Sequence, residues 1–329
     1  MDELIRLTGL GKRFAQGDSG GVTVLRDIDL TLGRGETLCA LGESGCGKTT
    51  LGKIIAGLSS YSTGSYTYQG KEVSTLKGEE FKEFRNSVQL IHQNPYESLN
   101  PALMVFDTIA NAIRRRHGVH EAAELYRRVT QLLELVGLTP VEDFVDKYPN
   151  HLSGGQRQRV SIARILAMDP KLIVVDEATS MIDTSLRVSL LGTLREIQER
   201  LKVSYFFITH DLALGRYFAR GQRVMIMYLG RTVEEAETDD LLARPSHPYT
   251  RAVLSAAVGS SGILEKSRIE KYTLCGTDIP SFRCVPEGCA LHPRCPERIS
   301  GVCDSVFPAF HDLGGGHRTA CHLCGREKI

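Results

Sequence analysis

Residues 42–50 read Gly-Glu-Ser-Gly-Cys-Gly-Lys-Thr-Thr, and this segment limits the folds that the chain can adopt. It fits the pattern G-x-x-x-x-G-K-[ST], with an apolar run typical of a buried strand before it (37–41) and a helical pattern after it (51–58). Glycines let successive backbone N–H groups turn toward a phosphate chain, and the positive end of the following helix points at the same place. The segment therefore predicts a phosphate loop that binds a nucleoside triphosphate.

The side chains of this loop predict how it holds the nucleotide. Lys48 would reach the β- and γ-phosphates, and the hydroxyl of Thr49 would bind Mg²⁺. The alternative is a chance glycine-rich turn, and a full match between a strand and a helix argues against it. The other loop residues expected to contact the nucleotide are Gly42, Ser44, Gly45, Cys46, Gly47 and Thr50.

The composition argues against several classes of protein. The 40 lysines and arginines nearly balance the 39 acidic residues, which gives no electrostatic support for a nucleic-acid partner. No run of about 18 apolar residues occurs, so we expect no membrane span, and the first residues lack the features of a signal peptide. We therefore expect a reducing cytosol, in which disulfides between the nine cysteines are disfavoured.

The length of 329 residues suggests about two domains, and the cysteines indicate the boundary. Cys39 and Cys46 lie near the phosphate loop, whereas the other seven fall between Cys275 and Cys324. We predict one domain at 1–258 and, at 259–329, a linker followed by a small cysteine-rich domain.

Two apolar segments after the loop end in polar side chains that suit a phosphate site. Residues 171–177 end in Asp176 and Glu177, and residues 204–209 are followed by His210. Parallel strands of α/β sheets present such residues to a ligand at their carboxyl ends. Asp176 suits Mg²⁺, Glu177 suits an attacking water, and His210 can donate to the γ-phosphate. Solvated acids and a structural histidine are the alternatives.

A second junction of loop and helix lies at Leu152–Gln156, which reads Leu-Ser-Gly-Gly-Gln. Ser153 is a good N-cap for the helix that follows, and the two glycines expose N–H groups that attract anions. A capped helix with no ligand is the alternative. The stretch before it, from about residue 96, has a helical apolar period with one stripe formed by Leu125, Val129, Leu132, Leu133 and Val136.

In this order the motifs resemble those of the ATP-binding subunit of an ABC transporter, over about residues 4–257. Gly42–Thr49 resembles Walker A, Leu152–Gln156 the LSGGQ signature, and Asp176 with Glu177 the Walker B motif with its catalytic glutamate. The resemblance implies an α/β P-loop fold with a RecA-like core, an antiparallel β subdomain and an α-helical signature subdomain at about 95–169. The remaining matches are Phe14 to the adenine-stacking A-loop residue, Gln93 to the Q-loop, Asp183 to the D-loop and His210 to the switch histidine.

Two of these matches depart from the family pattern. Phe14 stands where the family more often has tyrosine, and an aromatic ring at this position can equally pack in a core. Met181-Ile182 replaces the usual Ala-Leu before Asp183, which bears on D-loop contacts and not on the fold.

The resemblance also assigns roles and a partner. It implies that Glu177, His210 and Gln93 act in catalysis, and that Thr49, Gln93 and Asp176 hold Mg²⁺. ATP on one cassette is covered by the signature of a second, so a chain with one set of motifs must pair. The covering residues would be Ser153, Gly154, Gly155, Gln156 and Asp183.

Residues 93–101 and 247–252 resemble the oligopeptide/dipeptide transporter ATPases, whose relatives also import nickel and some oligosaccharides. This narrower resemblance implies two transmembrane permease subunits, an extracellular or periplasmic solute-binding protein and a position on the cytoplasmic face of the membrane. It also favours a paralogous cassette over a second copy of this chain as the partner.

The same ATPases carry a cysteine tail, which corresponds here to Cys289, Cys295, Cys303 and Cys321. Four thiolates suffice for a [4Fe–4S] cluster or for Zn²⁺. Structural zinc usually takes two tight C-x₂₋₄-C pairs, which the spacing of these four does not provide, so the cluster is favoured with zinc as the alternative. The tail is rich in glycine and proline and needs such a staple.

The favoured function is ATP hydrolysis that drives import of a peptide-like solute. The alternative is a cassette ATPase without transport, such as a carbon–phosphorus lyase accessory subunit, which generally ends near the helix that contains residues 247–252. A third hypothesis, a nucleic-acid-handling cassette, conflicts with the neutral charge balance and the single set of motifs.

Overall fold

The computed structural model describes residues 2–15, 21–92, 99–178, 184–261 and 271–324. Within these ranges the strands form two sheets, one of four strands and one of eight. The eight-stranded sheet has the order β11-β12-β10-β9-β3-β8-β7-β6. Its strands are β3 Thr37–Leu41, β6 Val88–Ile91, β7 Leu172–Asp176, β8 Ser204–Thr209, β9 Arg223–Tyr228, β10 Arg231–Glu237, β11 His311–Asp312 and β12 Arg318–Thr319.

Five strands of this sheet, β9, β3, β8, β7 and β6, are parallel, and β10, β12 and β11 continue the sheet antiparallel. Every residue of β3, β7 and β8 is buried, because helices cover one face of the parallel part, and the first helix together with the smaller sheet covers the other. The strands predicted from apolar runs at 37–41, 171–177 and 204–209 are therefore confirmed. Their carboxyl ends meet at one edge, which carries the candidate site.

The smaller sheet is antiparallel, with the order β2-β1-β4-β5. Its core side chains pack with those of the first helix and of one face of the large sheet. This sheet confirms the antiparallel β subdomain that the family resemblance predicts. Its strands are β1 Glu3–Phe14, β2 Val22–Gly33, β4 Thr63–Tyr68 and β5 Lys71–Glu72.

Three of the described helices lie in the region predicted as the helical subdomain: α3 Val105–His117, α4 Ala122–Leu135 and α5 Gly154–Leu166. The apolar stripe predicted for α4 is buried at Leu125, Val129 and Leu133, and Gly137 follows the helix with φ +73°. Short 3₁₀ turns lie at Val73–Thr75, Val141–Asp143 and Pro149–His151. The helices are α1 Lys48–Ile55, α2 Gly78–Ser87, α3 Val105–His117, α4 Ala122–Leu135, α5 Gly154–Leu166, α6 Thr184–Leu201, α7 Leu212–Phe218, α8 Thr238–Ala243 and α9 Pro248–Ser261.

The cysteine-rich tail, residues 271–324, packs against its own chain. Strand β12 pairs with β10 through Glu234↔Thr319 and Glu235↔Arg318, and the tail residues Leu291 and Cys295 belong to the same hydrophobic core as the large sheet. The tail thus extends the large sheet by two short strands. The domain boundary between 258 and 259 stays a prediction, since α9 continues to Ser261 and the next residues lie outside the described ranges.

Among the described residues, no helix combines the length and the apolar character that a membrane crossing requires.

Candidate nucleotide-binding site

The phosphate loop connects β3 to α1 as the sequence predicts, and two of its glycines are required by geometry. Gly47 is the N-cap of α1 with φ +109°, and a Cβ there would lie 2.9 Å from Cδ2 of Leu25. A Cβ at Gly42 would overlap the carbonyl oxygen of Met227 on β9. The loop is therefore held against β2 and β9 while its N–H groups stay at the N-terminus of α1.

Lys48 lies inside the curve of this loop. Its side chain is buried, and Nζ donates to the carbonyl oxygens of Gly42 at 2.7 Å and Glu43 at 2.9 Å. These contacts aim the ammonium at the space that the loop encloses, which is where a phosphate chain would accept its hydrogen bonds. Cys46, buried beside Lys48, has its thiol pKa raised by burial and so adds no negative charge.

The residues predicted to hold Mg²⁺ are brought together from two elements. The Thr49 hydroxyl donates to Oδ1 of Asp176 at 3.0 Å, joining the start of α1 to the end of β7. Burial raises the pKa of Asp176, and the Thr49 hydrogen bond opposes that shift. A hydroxyl and a carboxylate at this separation fit Mg²⁺, which binds few protein oxygens and takes the rest from phosphates and water.

Glu177 and His210 also meet at this edge. Oε1 of Glu177 lies 3.0 Å from Nδ1 of His210, and the Glu177 amide donates to the carbonyl of Ile208 on the neighbouring strand. Glu177 has φ +46°, a backbone conformation that is uncommon outside glycine and is found at functional sites. The Glu177 carboxylate therefore meets His210 across the ends of the neighbouring strands β7 and β8, one residue after Asp176.

The signature segment forms a complete capping box at the start of α5. The Ser153 hydroxyl accepts from the Gln156 amide at 3.3 Å, and Oε1 of Gln156 accepts from the Ser153 amide at 2.9 Å. A cavity of about 150 Å³ beside it is lined, among the described residues, by side chains of this segment, α5 and α6. The N-cap prediction is confirmed, and the role of Ser153, Gly154, Gly155 and Gln156 toward ATP stays a prediction.

Phe14 ends β1 and is 44% exposed as a residue, and Nζ of Lys12 lies 4.8 Å from its ring centre. The ring is thus available for stacking rather than packed in a core. Its contact with adenine stays a prediction. Gln93 and Asp183, predicted as the Q-loop and D-loop residues, lie outside the described residues.

One contact to the phosphate loop comes from a residue whose role the sequence did not indicate. The hydroxyl of Tyr249, at the start of α9, accepts a hydrogen bond of 2.9 Å from the Glu43 amide. The sequence signal for this contact is the segment at 247–252, which resembles a family motif but does not by itself indicate a contact with the phosphate loop. The structure shows that this motif supports the phosphate loop.

The four predicted cluster cysteines lie around one small cavity in the tail, of about 10 Å³. Burial raises the pKa of Cys289 and of Cys295 to about 11, so these thiols are protonated without a metal. Within the described ranges, no three His, Cys, Asp or Glu side chains are arranged to coordinate a metal ion. Cys275 and Cys284 are exposed and do not line this cavity.

Comparison with known proteins identifies the two regions separately. A family model described as ABC transporter matches residues 25–180, and one described as the C-terminal region of the oligopeptide/dipeptide transporters matches residues 233–303. A Brucella ovis protein named as a peptide import ATP-binding protein is 37% identical over 318 residues, 97% of each chain. A Sinorhizobium fredii protein named as a peptide ABC transporter ATP-binding protein is 36% identical over 92% of this chain and 83% of that protein.

Solved structures show the same cassette. The ATP-binding cassette MJ0796, in a dimeric post-hydrolysis state with ADP and Pi, has a TM-score of 0.64 and 26% identity over 71% of this chain and 99% of that one. CbiO1 from Clostridium perfringens, part of an ABC transporter complex, has a TM-score of 0.65 and 24% identity over 79% of this chain and 95% of its own, and supports the fold. The chain therefore belongs to the ABC transporter family as an ATPase, and it carries the C-terminal region of the oligopeptide/dipeptide transporters.

Proposed function

We propose that this chain is the ATP-hydrolysing subunit of an importer for peptides or a related solute, such as an oligosaccharide or a nickel complex. The observation that carries the hydrolytic part is the edge at which Thr49, Asp176, Glu177 and His210 meet beside Lys48. The solute class rests on the relatives, which match over nearly the whole chain and are named for peptide import.

The chemistry follows from the residues at this edge. Lys48 and the N–H groups at the start of α1 bind the phosphates, and Thr49 and Asp176 would hold Mg²⁺, which supplies positive charge to the β- and γ-phosphates. Glu177 accepts a hydrogen bond from the attacking water and orients it. His210 restrains the Glu177 carboxylate and can donate to the γ-phosphate. We propose that Gln93 contributes to the same Mg²⁺ site and to catalysis.

The proposed site is completed by a second cassette. The capped N-terminus of α5, with Gly154 and Gly155, offers N–H groups to the γ-phosphate of the partner. We propose that Asp183, as the D-loop residue, acts in the same paired site. The dimeric MJ0796 cassette supports pairing of this kind. We propose a paralogous cassette as the partner, with two permease subunits, a solute-binding protein outside the membrane and this chain on the cytoplasmic face.

We further propose that Cys289, Cys295, Cys303 and Cys321 hold a [4Fe–4S] cluster, with Zn²⁺ as the alternative. All four line one cavity, and four thiols form the donor set that both groups use. Because metal binding requires thiolates, loading would release protons from groups whose pKa burial has raised, and would weaken at low pH. A structural role suits a segment with few apolar side chains of its own.

The carbon–phosphorus lyase alternative gains no support from the comparisons. That alternative expects a chain without the cysteine tail, whereas the relatives align with 97% and 92% of this chain. We therefore retain the importer as the single proposed function.

The function is tested by co-purifying the chain with its membrane partners and measuring ATP hydrolysis in proteoliposomes. Addition of solute-binding protein loaded with peptides of two to about eight residues is expected to stimulate hydrolysis, and Lys48→Ala should abolish the stimulation. Stimulation by an oligosaccharide or nickel, and by no peptide, would exclude the peptide assignment and keep the importer. No stimulation by any solute, with an active ATPase, would contradict the importer.

A further inference from the structure

The tail contacts the phosphate loop through a pair of charged side chains, Arg294 and Glu43. Nη1 of Arg294 lies 3.2 Å from Oε2 of Glu43, and Nη2 lies 3.3 Å from Oε1. The two residues are 251 positions apart in sequence. The Arg294 side chain is only 8% exposed and that of Glu43 30%, so this pair is less screened by solvent than a surface ion pair.

Arg294 is itself held on both sides. Its Nη1 also donates to the hydroxyl of Tyr228 at 3.2 Å, and Tyr228 packs against Tyr249 with ring centres 4.7 Å apart. Within the tail, the amide of Arg294 donates to the carbonyl of Leu291, and its carbonyl accepts from the amide of Cys275. Arg294 thus reaches the phosphate loop from a fixed backbone position next to Cys295.

Glu43 is held at its side chain, its amide and its carbonyl. Its carboxylate accepts from Arg294, its amide donates to the Tyr249 hydroxyl at 2.9 Å, and its carbonyl accepts from Lys48 at 2.9 Å. The side chain, the amide and the carbonyl of one loop residue are therefore held by the tail, by α9 and by the phosphate-binding lysine. The position of Glu43 influences Lys48 directly through the last of these bonds.

The tail also covers the loop at a second place. Tail residues 279–283 line a cavity of about 390 Å³ together with Glu43, Ser44, Gly45 and Cys46 of the loop and Tyr228 and Leu229 of the sheet edge. The tail therefore forms one wall of the cavity beside the phosphate loop.

An unpaired carboxylate at position 43 would lower the affinity for a polyphosphate. Glu43 lies within the segment that turns N–H groups toward phosphates, and a carboxylate free to turn toward them would repel the anion. Arg294 both neutralises this charge and fixes its direction. We propose that Arg294 is a positioning residue of the phosphate loop, through which nucleotide affinity depends on the docked tail.

This inference rests on the proposed role of the phosphate loop, and the test separates the two. The Kd of the full-length chain for a fluorescent ATP analogue with Mg²⁺ would be measured for wild type, Arg294→Gln, Glu43→Gln and the double variant. Arg294→Gln should raise Kd about tenfold, the size expected for loss of a charge-assisted hydrogen bond. Glu43→Gln should change Kd little, and the double variant should return to the Glu43→Gln value because no unpaired carboxylate remains.

Arg318→Gln is the matched control. Arg318 also joins the tail to the core, through Glu235 on β10, without contacting the phosphate loop, so Kd should stay at the wild-type value. Wild-type Kd in Arg294→Gln would overturn the proposal. Equal weakening in Arg294→Gln and in the double variant would also overturn it, since Arg294 would then act through folding of the tail. If the phosphate loop did not bind the nucleotide, the result would be different: Lys48→Ala would bind the ATP analogue with the wild-type Kd.

Discussion

Nδ1 of His210 lies 3.0 Å from Oε1 of Glu177, and the two residues follow neighbouring parallel strands, β8 and β7. Asp176, one residue before Glu177, faces Thr49 instead. Two adjacent carboxylates thus have different partners, one at the metal-binding position and one beside a histidine. We therefore expect substitution of Glu177 to affect hydrolysis without affecting nucleotide binding through the metal position.

Glu177→Gln should leave nucleotide affinity near the wild-type value and lower the hydrolysis rate about 10²–10⁴-fold, because an amide cannot accept the proton of the attacking water. Phosphate release and binding of a fluorescent ATP analogue would be measured in the assembled transporter. Glu199→Gln, at an exposed position of α6, is the matched control and should change neither quantity. A Glu177→Gln enzyme with wild-type turnover would remove Glu177 from the mechanism.

Ser153→Arg should separate binding from hydrolysis in another way. If the N-terminus of α5 serves the partner's nucleotide, a bulky cation there blocks closure, and hydrolysis by the transporter should fall on the order of 10²-fold. Nucleotide affinity of the isolated variant should stay at the wild-type value, since its own Lys48 and Thr49 are unchanged. Ser74→Arg, at an exposed position of the 3₁₀ turn at Val73–Thr75, controls for the added charge. Full-rate hydrolysis by a demonstrated monomer would contradict the composite site.

The parts of the site that could be predicted from the sequence are those determined by residues close together in the chain. The burial of β7 follows from its unbroken apolar run, and the strand end then places Asp176 and Glu177 at the ligand edge. The cap at Ser153 follows from residues three positions apart. Such features require no knowledge of the rest of the chain.

The contact between Arg294 and Glu43 could not be predicted from the sequence. No sequence pattern near either residue indicates the other, because the contact forms only when the tail folds back to the edge of the large sheet beside β10. Helix α2 is also not predicted from the sequence, because its ten residues are mostly exposed and include only two apolar side chains, Phe81 and Phe84. Both cases reflect contacts or exposure that only the tertiary structure determines.

The tail cavity predicts a selective effect of cysteine substitution. Replacement of Cys289, Cys295, Cys303 or Cys321 by serine should each remove most of the bound metal, whereas Cys284→Ser, at an exposed position outside the cavity, should retain it. Iron, acid-labile sulfide and zinc would be measured after anaerobic purification, together with absorbance near about 400 nm. Zinc without iron in the wild-type protein would show that the four cysteines bind Zn²⁺ and not an iron–sulfur cluster. Equal metal content in all five variants would exclude the site.

The docking of the tail should depend on pH through His317. Its ring is buried between two carboxylates, with Nε2 2.7 Å from Oε1 of Glu234 and Nδ1 3.0 Å from Oδ2 of Asp240. The hydrogen bond with Glu234 and, less strongly, the charges of both acids raise the pKa of His317, and burial opposes the shift. Arg244 pairs with Asp240 on its other side, and His247, whose pKa burial lowers to about 4, stays neutral nearby. With an acceptor at each ring nitrogen, the doubly protonated imidazolium is the form that fits.

Because the folded-state pKa lies above the ordinary value of 6.5, the stabilisation is fully present below pH 6.5 and is lost as pH rises through the raised value. His317→Gln should therefore lower the free energy of unfolding by about 1.5–3 kcal/mol at low pH, where a charge-assisted hydrogen bond is lost, and by less at high pH. Urea unfolding of the full-length chain between about pH 6 and pH 9 would measure this difference, a range chosen to bracket histidine titration. His120→Gln, at an exposed position, should parallel wild type throughout. A difference between wild type and His317→Gln that stays constant across the range would show that His317 contributes by packing and not by its charge.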